Sequence, residues 1–393
     1  LLKNLSYVSI AFIYINLLGY IFHFYVSRHL SPEGYGEFMV LYSLMLTVGN
    51  FSGIFTVISI KTMSESENRE AVLRYLRLFA LIIGTIFMVA GVISSPFIKY
   101  FFKISYLPYI WIISLTWIFM FLVAAEKGYL QAKSHFGIFS FVNSFELTVR
   151  LLIAILLISS GCYIWGALFP SFFCLLSVFI LLIINNKNFK GSIQKIPFKK
   201  LCKIAIYASP GGFFIYMDDI FIKRVFSPEM AGLYASASII GKSLILFCMN
   251  LFSVFFPKLI ENVSDNKIFK KLIIKILFLI IAIFLLAEIF VLLWGKAIFL
   301  ILFGEKFVNA FKILPTYIIA ILPLTLSIIF MWIKTVEERN IYLIYLHLIL
   351  YFGGFTIFNF TDIMSYLLYI FSFNTIFSLV YIRTLFHTPK NLP

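Results

Sequence analysis

Charge is scarce in this sequence. Asp, Glu, Lys and Arg make up 12% of its 393 residues, against roughly 25% in a soluble domain. A water-exposed surface could not be covered with so few, and no polar stretch is long enough to fold alone, so a sizeable soluble domain is excluded. Cysteine is scarce as well. Cys162, Cys174, Cys202 and Cys248 are scattered, with no CxxC pair, which argues against a disulfide framework or a zinc site. There is no HExxH. Gly241-Lys242-Ser243 resembles the end of a phosphate-binding loop, but Ser236 stands where its first glycine belongs. That triplet also lies inside an apolar run with no strand before it, so ATP binding is rejected.

What the chain has in excess is apolar sequence. Hydrophobic residues reach 62%, Phe alone occurs 48 times, and the mean hydropathy is +1.01. A spanning helix needs roughly 20 mostly apolar residues. About twelve such runs can be placed, at 6–28, 38–60, 77–98, 106–126, 136–160, 162–184, 203–226, 230–256, 272–294, 310–333, 341–359 and 363–385. They are long and continuous, without the short alternating segments of a membrane barrel. The expected fold is an all-α polytopic membrane protein. The first run reads as a full span with no small-residue cleavage site, not as a signal peptide; because residue 1 is Leu, a few residues are expected to precede it or the start codon to be unusual.

The net charge of +15 could suggest nucleic acid, but its distribution points to topology. With a cytoplasmic N-terminus, about 22 basic residues fall on the cytoplasmic side, among them Lys61, Arg74, Lys127, Lys187, Lys190, Lys199, Lys200, Lys271, Arg339 and Lys390. About 8 fall on the other side: Arg28, Lys99, Lys103, Lys223, Arg224, Lys296, Lys306 and Lys312. Arg150 and Lys242 remain inside spans. The positive-inside rule then places both termini in the cytoplasm. The basic stretch near the midpoint is a topology anchor that can also touch anionic lipid headgroups.

An internal repeat divides the chain. Residues 28–38 read RHLSPEGYGEF and residues 224–234 read RVFSPEMAGLY, 196 residues apart. Both fit Arg-x-x-Ser-Pro-Glu-x-x-Gly-x-aromatic, between the first and second spans of each half. Ser31 and Ser227 suit the helix N-cap, Pro32 and Pro228 the first helical position, and Glu33 and Glu229 the positive end of the helix dipole. Six spans separate the copies, so the halves keep the same orientation, as parallel repeats about the membrane normal. The expected organisation is an N-lobe at 1–190 with helices one to six, a basic cytoplasmic linker at 191–203, and a C-lobe at 204–393. Such repeats are a transporter architecture.

These features resemble the multidrug/oligosaccharidyl-lipid/polysaccharide exporter superfamily, and within it the O-antigen and polysaccharide flippases (Wzx-like). The resemblance rests on Arg28 to Gly36 after helix one, on Asp218 ahead of Pro228-Glu229-Met230-Ala231-Gly232-Leu233-Tyr234, and on Phe256-Pro257, which looks like the proline closing helix eight. Ser31 and Ser227 replace the usual glycine. The resemblance implies a non-enzymatic flippase of the bacterial inner membrane. Its substrate would be a polyprenyl-diphosphate-linked oligosaccharide, and its partners membrane lipids and polysaccharide assembly proteins.

Ionisable residues at membrane depth usually face a cavity. Asn143, Glu146 and Arg150 share one face of span five; Tyr234, Ser238 and Lys242 share one face of span eight; Asn16, Tyr20, His23 and Ser27 line span one. Arg28, Arg150, Lys242 and Arg224 are the candidate cations for a diphosphate. Glu146, Asp218, Asp219 and Glu288 are candidate coupling carboxylates for H+ or Na+; no other cofactor is implied. The structural alternatives are a Glu146–Arg150 pair at i,i+4 and a pairing of Lys242 with Asp218 or Asp219. Arg28 and Arg224 sit at helix ends, where snorkelling is ordinary. His23 and His347 read more as packed polar groups than as proton relays, and Glu126 as solvated beside Lys127. Pro210-Gly211-Gly212, Pro315 and Pro323 are candidate bends. Competing functions are a multidrug/cation antiporter, favoured by an acidic cavity, and a membrane polymerase or glycosyltransferase, which would need a long outer catalytic loop.

Overall fold

A computed structural model describes residues 2–185, 193–207, 211–262, 265–337 and 341–387. Lys187, Lys190, Pro210, Arg339 and Lys390 lie outside the described residues. Within them the chain is all-helical, because backbone groups in lipid must be satisfied inside the segment. The helices are α1 (Leu2–His29), α2 (Pro32–Ser64), α3 (Arg69–Phe101), α4 (Pro108–Ala132), α5 (Phe136–Ser159), α6 (Tyr163–Asn185), α7 (Phe198–Tyr207), α8 (Gly211–Val225), α9 (Pro228–Glu261), α10 (Asn266–Leu302), α11 (Leu314–Glu337), α12 (Tyr342–Ile357) and α13 (Ile363–His387). A 3-10 turn at Glu305–Lys312 precedes α11. Among the described residues, nine helices are long and apolar enough to cross a membrane by length and composition. Adding α1, α8 and the shorter apolar α12 accounts for the twelve expected positions.

The repeat motif folds as its chemistry requires. The Ser31 hydroxyl accepts from the Gly34 amide at 3.2 Å, and Ser227 accepts from Met230 at 3.3 Å. Pro32 and Pro228 open α2 and α9. Along the seventh run the described residues form α7, to Tyr207, and α8, from Gly211; residues 208–210 lie outside the described residues. One expectation is corrected: the helix expected to close at Phe256-Pro257 continues to Glu261.

The chain forms two compact units, Leu1–Ala208 and Ser209–Pro393. In the first, α4 packs along α2, α3 and α6, and α1 packs along α5. In the second, α11 packs along α9, α10 and α13, and α8 meets α12. Each unit thus has its fourth spanning helix at its centre, as a duplicated plan requires. Within the first unit, α3 and α4 approach closely: a Cβ on Gly84 would lie 2.8 Å from the Ile118 Cα.

The stretch from Ile193 to Tyr207 belongs to the first unit. Ile196, Leu201 and Ile204 pack into the cluster of Val72, Leu73 and Leu76 on α3. The Gln194 amide donates to the Ala71 carbonyl at 3.2 Å, and Lys200 pairs with Glu65 at 2.6 Å. The Lys200 ammonium, hydrogen-bonded to Glu65, holds that carboxyl below the ordinary carboxylate range.

Candidate functional site

Each unit holds a buried polar cluster. In the C-terminal unit, Asp218 and Asp219 lie on α8 and Lys242 on α9, all buried. Lys242 Nζ lies 2.8 Å from Asp218 Oδ1 and also donates to Asp219 Oδ2. The Tyr234 and Tyr317 hydroxyls each donate to Asp218 Oδ2 at 2.8 Å, and the Ser238 hydroxyl donates to Asp219 Oδ1 at 2.7 Å. The Tyr366 hydroxyl donates to the Asp218 backbone carbonyl at 2.6 Å. Three helices besides α8 therefore converge on adjacent aspartates. Buried ions are tolerable only when paired and hydrogen-bonded this fully. Two carboxylates against one ammonium leave the triad formally at −1 when both are ionised.

The face drawn from Tyr234, Ser238 and Lys242 is the face that contacts the aspartates. The sequence reading missed Tyr317 and Tyr366, which come from α11 and α13. Gly241 held the signal for one of them: a Cβ there would collide with the Tyr317 ring. The glycine inside α9 gives that ring the room to reach Asp218.

In the N-terminal unit, Arg150 on α5 is half-buried between α1 and α2. Its guanidinium lies 4.2 Å from the centroid of the Phe22 ring and 4.7 Å from that of Tyr42, at cation–π distance. Its Nη1 donates to the Tyr42 hydroxyl at 3.1 Å. The Glu146–Arg150 ion pair, the structural alternative for these residues, is not what holds Glu146: Lys127 donates to Glu146 at 2.6 Å. Glu126, expected to be solvated, is corrected. It is fully buried and paired with Arg77 of α3, whose Nη2 donates to Oε2 at 3.1 Å while Nε donates to Oε1. An inward-facing position on α4 left this carboxylate no access to water.

The remaining candidates are Arg28, Arg224, Glu288, His23 and His347; of these, His23 packs 5.2 Å from the Tyr42 ring, beside Arg150. Arg28 is exposed in the last turn of α1, and Arg224 is half-buried in the last turn of α8, both at helix ends that favour cations. Glu288 is half-buried on α10, on the side of Phe284 and Val291, and its Oε2 meets no partner among the described residues. His23 and His347 are buried packing groups; His347 stacks on Phe377 at 3.9 Å.

A family model described as "Polysaccharide biosynthesis protein" matches residues 1–263. No curated protein matches the chain in sequence. Its fold is similar to an inward-facing multidrug resistance MATE family transporter of the MOP superfamily, at TM-score 0.76 and 11% identity, covering 94% of this chain and 93% of that one. It is likewise similar to the lipid II flippase MurJ in an inward closed conformation, at TM-score 0.75 and 15% identity over 97% and 87%. A MOP superfamily transporter from Pyrococcus furiosus matches at TM-score 0.67 and 12% identity over 98% and 94%. The fold is the two-lobe architecture these transporters share.

Proposed function

Since the chain belongs to the polysaccharide biosynthesis protein family, we propose that it is a flippase that moves a polyprenyl-diphosphate-linked oligosaccharide across the bacterial cytoplasmic membrane. The observation that carries this reading is a family match over residues 1–263 on a MOP transporter fold. A sugar-diphosphate headgroup cannot enter hydrocarbon unaided, because its charges and hydroxyls would lose their water. A protein that offers polar and cationic groups at membrane depth lowers that barrier while the polyprenyl tail stays in lipid. Arg150 is the cation best suited to the diphosphate, since its nearest neighbours are rings and a hydroxyl. Both termini are cytoplasmic in this reading, by the asymmetry of Lys and Arg. Coupling to H+ or Na+ would run through Asp218, Asp219, Glu146 or Glu288, and assembly proteins would receive the product.

Deletion of the gene, in a strain without a second flippase, should trap lipid-linked repeat units on the cytoplasmic face and abolish the surface polysaccharide. Unchanged surface polysaccharide in that strain would refute the proposal.

One observation favours a second reading. The Asp218–Asp219–Lys242 triad is formally acidic, and an acidic site suits a cationic drug. A multidrug antiporter would confer drug resistance on overexpression and leave polysaccharide untouched.

A further inference from the structure

The C-terminal unit also has a cavity of about 550 Å³, within the size range of ordinary ligand pockets. It lies where α9, α11 and α13 begin, beside the 3-10 turn at Glu305–Lys312. Neither the aspartate triad nor its hydroxyl partners line it. Its polar wall is Asn309, Lys312, Thr316 and Asp362. Asp362 caps α13: Oδ1 accepts from the Ser365 amide at 2.7 Å, while Oδ2 takes no donor among the described residues. The side chains of Asn309, Lys312 and Thr316 likewise meet no partner among those residues. A cation and an anion thus line one cavity with no ion pair joining them among the described residues.

The rest of the wall is apolar, with Leu233, Ile313 and Leu367 buried in it. The apolar surface continues away from the helix starts. Ile319 follows Thr316 on α11, and Leu368 follows Met364 on α13, each by about one turn on the same helical face. Both stay exposed, at 51% and 60%, on two helices that pack along each other. Lys312 is among the basic residues that the charge asymmetry places on the outer side, so in the proposed topology this cavity opens at the outer leaflet. Opposite charges at the interface, followed by an exposed apolar track, match the two ends of a phospholipid.

We propose that this cavity binds a phospholipid with a zwitterionic, primary-ammonium headgroup, of the phosphatidylethanolamine class. Lys312, with Asn309 and Thr316, takes the phosphate, Asp362 Oδ2 takes the ammonium, and an acyl chain follows Ile319 and Leu368. The charges select the headgroup. A purely anionic headgroup satisfies Lys312 but is repelled by Asp362. A quaternary ammonium has no N–H to give the carboxylate and is ordinarily held by aromatic rings, and no ring lines this cavity. If Lys312 and Asp362 were only solvated charges at helix starts, no headgroup would be preferred. The site is independent of the flipped substrate, and a lipid in it would join the starts of three helices within one unit.

The test is native mass spectrometry of the full chain in detergent, titrated with phosphatidylethanolamine, phosphatidylcholine and phosphatidylglycerol of identical chains. The wild type should bind the ethanolamine lipid about threefold to fivefold more tightly than either of the others, the scale of one exposed charge contact. Asp362→Asn keeps a side chain that caps α13 and removes the charge. It should erase the preference over phosphatidylcholine and raise phosphatidylglycerol binding, two opposite shifts that damage to the fold would not produce. Lys312→Gln should weaken all three lipids by a similar factor. The difference between wild type and variant isolates this cavity from lipid bound elsewhere. Glycerophosphoethanolamine, the headgroup without its chains, should not displace the lipid at equal concentration; displacement would assign the cavity to a soluble phosphate ester and overturn the lipid. Equal binding of the three lipids by the wild type overturns the proposal, as does tightest binding of phosphatidylglycerol or an unchanged preference in Asp362→Asn. Should that variant fail to fold, Lys312→Gln decides: unchanged binding of all three lipids overturns the proposal.

Discussion

Lys242 faces two carboxylates in a site that admits almost no water. Truncating it removes the ammonium and leaves both aspartates underpaired. Lys242→Met should therefore destabilise the folded protein by about 3–5 kcal/mol. Adding Asp219→Asn to Lys242→Met should recover part of that loss, because the two sites are coupled and not additive. Thermal melting in detergent measures both; a double variant as unstable as the sum of the singles would contradict the account. The sequence made this pair visible because Tyr234, Ser238 and Lys242 recur every four residues, which puts them on one helical face. It did not reveal Tyr317 and Tyr366, two among 22 tyrosines, since they reach Asp218 from 99 and 148 residues further along the chain. Glu126 was misread for the same reason. Its neighbour Lys127 suggested a wet loop, while its partner Arg77 comes from another helix.

Among elements, the helix starts were the most legible, because capping is local. Ser31 and Ser227 accept the amide three residues on, as the Ser-Pro-Glu signature requires. The bend expected at Pro210-Gly211-Gly212 falls partly outside the described residues, where α8 begins at Gly211. Packing between elements was hidden almost entirely, since it depends on close approaches that hydropathy does not record. Gly84 lets α3 lie against the Ile118 backbone of α4, as small residues do at membrane helix contacts. Gly84→Ala should push these helices apart and destabilise the protein by about 1–3 kcal/mol. Gly19→Ala, where nothing lies within 4 Å of the added carbon, should leave the melting temperature unchanged or slightly raised. Equal effects from the two substitutions would contradict the packing described here.

At the scale of the whole molecule, the two units repeat one plan, with α4 and α11 as their central helices. Their polar clusters do not repeat. The first unit holds an arginine clamped by rings with one edge unmet; the second holds a closed network of aspartates, lysine and tyrosines. Duplication was legible from two short motifs, whereas this divergence was not, because it lies in which donors find acceptors. The central claim is the proposed movement of a lipid-linked sugar. The most direct measurement places the purified protein in vesicles loaded with a polyprenyl-diphosphate oligosaccharide and adds a glycosidase outside. The account predicts that the protected inner-leaflet fraction becomes cleavable faster than in protein-free vesicles, and that Arg150→Lys slows this. Cleavage that stops at the outer-leaflet fraction, with or without the protein, would contradict it.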